Sequence, residues 1–570
     1  MAAFGLAQMM VARAATPADT AFETAANATI EDRLRLNPEA ATELGDHRFD
    51  GQLTDYSAAA RQMQLQTIRS HLASLRQIDA RELTGPNRVD FQILRLNLEA
   101  EIFRMTELHA ASWDPLSYNE SLAQSIYLLT ARDFAPADQR LKNAAKRLAL
   151  IPTVIAQAKA NLNNPPAIYT QTAIKQVNGA IGLVRDGLEP LLVEAPGLRG
   201  ELAPLQASAA AALTDFKKWL EEDLLPRSKG DFRIGADLYR KKLRYTLASD
   251  LTPEQILSRA EQELKTTTET LYATALPLYR NYFPEVGAAA EADHPKVIKA
   301  VLDHLADQRP DDTTIVPYGE KVLALATDFV RAHDLVTVPD RPITVIVTPE
   351  FKRGRAAAYC DSPGALEPNG STFIAIEPTP TDWLESRKVS FYREYNNYMM
   401  RDLMVHEGMP GHFLQLGHSN QFKAPTLVRS IFRSGSFIEG WAVYTERVMA
   451  EAGFGGPETR VQQLKMRLRV IINAIIDQKI HMAGMTKEQA LELMMKRGFQ
   501  EEGEAVAKWQ RAQLSSTQLA TYFVGTIEYD DMRAAAEKKL GSAFNLKRYH
   551  DEALAHGSPA VKFVRLETDL

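Results

Sequence analysis

Two short stretches hold most of the residues that could do chemistry. Met404-Val405-His406-Glu407-Gly408-Met409-Pro410-Gly411-His412-Phe413 sets two histidines and a glutamate in an apolar segment broken by Pro-Gly. Phe437-Ile438-Glu439-Gly440-Trp441-Ala442-Val443-Tyr444-Thr445-Glu446 follows at a distance suited to one shared metal site. A catalytic zinc takes three nitrogen or oxygen ligands and keeps a fourth position for water. Cys360 is the only cysteine, so neither an intrachain disulfide nor a cysteine cluster can form. Any metal site must then be built from His, Glu and Asp.

The spacing departs from the common zinc-protease helix. In His-Glu-x-x-His the two imidazoles lie one turn apart, with the glutamate beside them as base. Here His412 lies six residues beyond His406. A regular helix would leave the two directions about 120° apart. Pro410 lacks an amide donor and crowds the preceding turn, and Gly411 tolerates unusual dihedrals. A two-residue bulge over Gly408 to Gly411 is therefore expected to return His412 to the face of His406. Glu439, arriving from a second helix, is a natural third ligand. Glu446 lies two turns beyond Glu439 on nearly the same face, where it either supports the ligands or faces solvent.

These elements need a scaffold. At 570 residues the chain is long enough for several domains or one large helical body. Its 45% hydrophobic and 24% charged residues suit a soluble globular protein. A net charge of −6 offers no basic excess for nucleic acid or for an acidic membrane surface. No run of about 18 apolar residues is present to form an integral membrane segment. Residues 1–15 read either as a signal-peptide remnant or as an Ala-rich start. A periplasmic or secreted location is expected, with the cytoplasm as the alternative.

Residues 16–340 read as a helical N-terminal half. Asn37-Pro38-Glu39 and Thr252-Pro253-Glu254-Gln255 are helix starts, the second with a capping box. Arg140 to Ile151 and Ala203 to Leu225 read as helices stopped by Pro152 and Pro226. The texture changes near Pro342, and residues 341–570 read as the half that carries the site. Ile343 to Val347 and Phe373 to Ile376 are expected strands. Helices are then expected over Glu385 to Glu407, Glu439 to Ala452 and Glu458 to Met482, with a capped one after Thr486. The fold class is mainly α, with a small β-sheet beside the site in a deep cleft.

The two stretches together resemble the bacterial domain-of-unknown-function family 885, which belongs with the gluzincin metallopeptidases. Leu44 to Gly51 and Tyr549-His550-Asp551 resemble further signatures of that family, and the similarity covers nearly the whole chain. The resemblance implies one zinc ion on His406, His412 and Glu439, with Glu407 as general base. Some members carry a second histidine where this chain has Phe413, which leaves His412 as the candidate. Related gluzincins stabilise the oxyanion with a C-terminal tyrosine or histidine. Tyr522 is the first choice here and Tyr529 the second, against a plain core role.

Quieter features complete the set. Arg469, Asn473, Asp477 and His481 recur every four residues along an apolar helix, so the stripe faces either solvent or a polar interior. Asp477 and His481 are the candidates for support of the zinc ligands. Phe373, Ile374 and Ala375 form either an ordinary edge strand or an edge that binds an extended peptide by strand addition. His418, His47 and His550 read as packing or structural histidines. The expected function is zinc-dependent hydrolysis of peptides. The alternatives are a zinc hydrolase of a non-peptide amide and a metal- or peptide-binding protein without catalysis.

Overall fold

Helix starts are written locally and are found where the caps are. In the computed structural model, which describes residues 15–348, 357–367, 370–381 and 383–568, three capping boxes close reciprocally. Thr16 pairs with Asp19, Thr252 with Gln255, and Thr486 with Gln489. Each pair satisfies two amide donors that the first turn would otherwise leave open. Asn37 does precede a helix, Pro38–Leu44, but its side chain donates back to the Arg33 carbonyl and so closes the helix before it. Residues 1–14 of the signal-like stretch 1–15 lie outside the described residues.

Several expected boundaries are overturned by tertiary packing. Pro152 does not stop its helix, which runs from Ala137 to Asn161. Leu148, Ile151, Val154 and Ile155 are all buried around it. Their burial, about 1.5–3 kcal/mol per large side chain, outweighs the roughly 3 kcal/mol cost of an interior proline. Pro226 likewise falls inside helical structure. The helix Arg199–Trp219 passes through a π turn, Leu220–Leu224, into Leu225–Arg227. The single helix expected over Glu385 to Glu407 is two, Glu385–Glu394 and Asn397–Glu407. The break is chemical: Glu394 turns inward to Lys465 at 2.9 Å, and Asn396 accepts the amides of Tyr398 and Met399.

The sheet has three strands, β1 Ile343–Val347, β2 Ala358–Asp361 and β3 Thr372–Ile376, in the order β1-β3-β2. β3 pairs parallel with β1 and antiparallel with β2. It is the central strand, so Phe373, Ile374 and Ala375 cannot take an extended peptide by strand addition. The short β2, without an apolar run to announce it, was not expected. β2 holds an edge and lies nearest the histidine helix.

The chain is mainly helical, and its apolar clusters cross residue 340. One joins Tyr239, Ile256 and Val301 to Leu468, Ile475 and Phe523. Another joins Phe22, Leu72 and Phe91 to Val428 and Phe563. Among the described residues no helix is long and apolar enough to cross a membrane.

Candidate metal centre

The histidine helix, Asn397–Glu407, ends where its last residues become chemically useful. Gly408 to Gly411 leave the helix, the Met409–Pro410 peptide is cis, and a second helix, His412–Ser419, starts on the second histidine. The expected bulge inside one helix is thus a complete break between two. Its effect on the rings is the one required: His406 and His412 stand with centroids 4.7 Å apart and planes at 83°. Gly411 donates its amide to the Val405 carbonyl at 3.0 Å. A Cβ at position 411 would overlap the carbonyl oxygens of both His406 and Val405. Gly411→Ala should therefore destabilise the protein by about 1–3 kcal/mol, as overpacking at a rigid backbone contact does. Denaturant unfolding checks this; a loss below about 0.5 kcal/mol would show that the break can relax.

The third residue comes from the helix Gly435–Glu451, capped by Ser434. This helix meets Ala520–Leu540 at backbone distance, because Gly440 and Gly525 leave no room for side chains between them. Trp441 donates its indole N–H to the Pro410 carbonyl at 2.8 Å, which ties the break to the same helix. Glu439 Oε2 then lies 3.4 Å from His412 Nε2 and 3.6 Å from His406 Nε2. Tetrahedral ligands at zinc bond lengths sit about 3.3–3.5 Å apart. All three donor atoms fall within 4.8 Å of one another, and Glu439 Oε2 is buried without a hydrogen-bond partner. A donor set of two imidazoles and a carboxylate, closely spaced with one oxygen unsatisfied, fits a divalent cation.

Electrostatics around the three point the same way. Burial alone would lower the His406 pKa, but the carboxylates of Glu439, Glu446 and Glu407 overcome it and raise it well above the usual value. Burial would raise Glu439, yet the two imidazoles hold it below the carboxylate range. A site that draws a proton this strongly also favours a cation. Glu446 bonds His406 Nδ1 at 2.6 Å, so that Nε2 is the atom presented to the site. Asp402, missed from the sequence, sits one turn before His406 and meets Glu446 behind it. Burial and the Glu446 charge push its carboxyl well up. The i, i+4 spacing of Asp402 and His406 was the available signal.

Glu407 is buried beside the ligands, and its Oε2 accepts the Cys360 amide of β2 at 3.0 Å. Burial raises its pKa, and the neighbouring histidines oppose the rise. Tyr522 also belongs to the group: its ring faces His406 at 6.5 Å, and its hydroxyl accepts Arg511 Nη2 at 3.0 Å. Burial, then the Glu439 charge, raises its pKa. Tyr529 does not belong to the group. It is fully buried between Phe437, Trp441 and Tyr444 as part of the core.

The polar stripe on Gly456–Ala483 faces the interior, but it supports something other than the ligands. Asp477 accepts the Tyr239 hydroxyl at 2.9 Å and the Thr517 amide at 3.1 Å, and burial raises its pKa to about 7. His481 Nε2 meets the carbonyls of Ala512 and Ser515. Both therefore anchor the connection between Glu502–Leu514, the helix of Arg511, and Ala520–Leu540, the helix of Tyr522. His550, bonded to Tyr444 and the Leu335 carbonyl, and His47, bonded to Asp50 and Glu367, are structural. His418 bonds the Thr337 carbonyl.

Fold and site define a mainly helical protein with a three-stranded sheet and a His-His-Glu group of metal-ligand spacing. The chain belongs to the family of bacterial proteins of unknown function DUF885, whose profile matches residues 38–567. It is similar to the solved structure of a candidate lipoprotein of unknown function from Shewanella oneidensis, with 31% identity and a TM-score of 0.80. That match covers 96% of this chain and 99% of the other. A candidate lipoprotein from Colwellia psychrerythraea shares the fold at 16% identity and a TM-score of 0.76, covering 97% and 99%. No curated protein matches.

Proposed function

We propose that this protein is a zinc-dependent peptidase of the gluzincin type, acting in the cell envelope on peptides held in a cleft above His406 and His412. One observation carries the reading. His406 Nε2, His412 Nε2 and Glu439 Oε2 converge at the separation of zinc ligands, with a buried carboxylate, Glu407, held alongside. A zinc ion in that place supplies Lewis acidity and lowers the pKa of water to near 7.

The chain's own residues supply the rest. Cys360 N–H fixes Glu407 Oε2, which leaves Oε1 to take a proton from water and deliver it to the leaving nitrogen. Tyr522 accepts a hydrogen bond from Arg511, which orients the hydroxyl to donate its own hydrogen to the developing oxyanion. One such donor contributes roughly 3–4 kcal/mol. Glu446 holds the Nδ1 side of His406 and keeps the ring turned to the site. The likeness to the Shewanella lipoprotein supports an envelope location.

The test is a digest of a mixed peptide library by the zinc-loaded protein, read by mass spectrometry. Cleavage is expected, to vanish with a chelator and to return when zinc is restored. Absence of any cleavage while zinc is bound would overturn the proposal.

A further inference from the structure

Arg511 lies beside the candidate metal centre and no carboxylate neutralises it. Its Nη2 donates to Gln518 Oε1 and to the Tyr522 hydroxyl, each at 3.0 Å. Among the described residues no Asp or Glu comes within ion-pair distance of it. The carboxylate that acts on it most strongly is Glu439, whose charge the metal reading already assigns to the ion. The surroundings deepen the imbalance. Glu504 serves both Arg469 and Lys508, the latter at 3.7 Å, while Glu394 pairs with Lys465 at 2.9 Å and with Arg469 Nη1 at 3.9 Å. Lys465, Arg469, Lys508 and Arg511 thus face two carboxylates, neither of which reaches Arg511, and Arg469 Nη1 makes no hydrogen bond. A part-buried cation without a counter-charge is costly unless an anion arrives to meet it. Arg511 and Tyr522 both remain partly exposed, so a ligand can reach them.

A planar guanidinium presents paired donors that match a carboxylate. We infer that Arg511 anchors the C-terminal carboxylate of the substrate, so that the site cleaves peptides close to their carboxyl end. The inference rests on the peptidase reading and deepens it, naming the terminus that the same site recognises. Arg511 would be a specificity residue that also holds Tyr522 in place. Gln518, which accepts from the same Nη2, fixes the guanidinium without neutralising it.

Binding and cleavage are measured separately, so that one reading can fail without the other. Acetyl-Ala-Ala-Phe and its C-terminal amide are titrated calorimetrically into the zinc-loaded Glu407→Gln protein, with and without Arg511→Gln. The free acid is expected to bind at least tenfold tighter than the amide. Arg511→Gln should bring the two within twofold, and Arg511→Lys should restore part of the difference, with zinc content and melting temperature unchanged throughout. Equal affinities before the Arg511 substitution, or no binding of either peptide, would overturn the assignment. A persistent Arg511→Gln effect on the acid-to-amide ratio, in a protein whose wild type cleaves no library peptide, would retain the anion anchor and remove the peptidase.

Discussion

Glu407→Gln is expected to lower kcat/KM for peptide cleavage by about 10²–10⁴-fold while zinc content stays at the wild-type level. Glutamine has the shape of the buried glutamate, and its carbonyl oxygen can still accept the Cys360 amide. The substitution therefore removes the proton acceptor and little else. It also leaves His406, His412 and Glu439 in place, so metal content separates loss of catalysis from loss of the site. Activity within threefold of wild type would show that proton transfer is done elsewhere. A loss of zinc together with activity would mean that Glu407 belongs to the ligand set.

Arg429→Met should cost about 3–5 kcal/mol of stability, the scale of breaking a buried ion pair. Arg429 is 1% exposed and Asp90 is fully buried. The guanidinium bonds Asp90 Oδ1 at 2.5 Å through Nε, and through Nη2 it bonds Glu567 Oε1 at 2.6 Å and the Pro86 carbonyl at 3.1 Å. It also reaches Glu567 Oε2 and the His556 carbonyl through Nη1. One side chain thus ties the helix Gly85–Thr106 to the C-terminal helix Val561–Glu567. Methionine fills much of the volume but removes the guanidinium from two neighbouring carboxylates, leaving Asp90 with no cation and Glu567 with His556 alone at 3.2 Å. Burial pushes Asp90 upward in pKa and Arg429 opposes the rise, so without the guanidinium the stranded acid is expected to take a proton rather than stay charged. Denaturant unfolding reads the loss. Combining Arg429→Met with Asp90→Asn should recover part of it, because the pair is coupled. A loss below about 1 kcal/mol would show that water replaces the guanidinium.

The two predictions probe parts of the chain that differ in how far they can be read from sequence. His406, Glu407, His412 and Glu439 stand out because their residue types are uncommon in apolar stretches. Arg429, Asp90 and Glu567 carry no such mark. Arg429 lies 339 positions from Asp90 and 138 from Glu567, and any one alone reads as a surface charge. Asp402 and Arg511 were missed for the same reason, since each acquires meaning only from the residue opposite it.

Local chemistry was legible wherever it closes within a few residues. The capping boxes at Thr252 and Thr486, the strand at Ile343 and the predominance of helix follow from nearest neighbours along the chain. So does the conclusion that Pro410-Gly411 must interrupt a regular helix. Tertiary structure decided the rest. It carried the helix through Pro152, because the flanking side chains are buried on one face. It set β3 between two strands, because β2 pairs on the side that composition left open. It turned the Pro-Gly interruption into a break between two helices, and it brought Glu439 up to both imidazoles through the backbone contact of Gly440 with Gly525. Caps and propensities act within about a turn of helix, whereas which faces meet depends on burial summed over the whole chain.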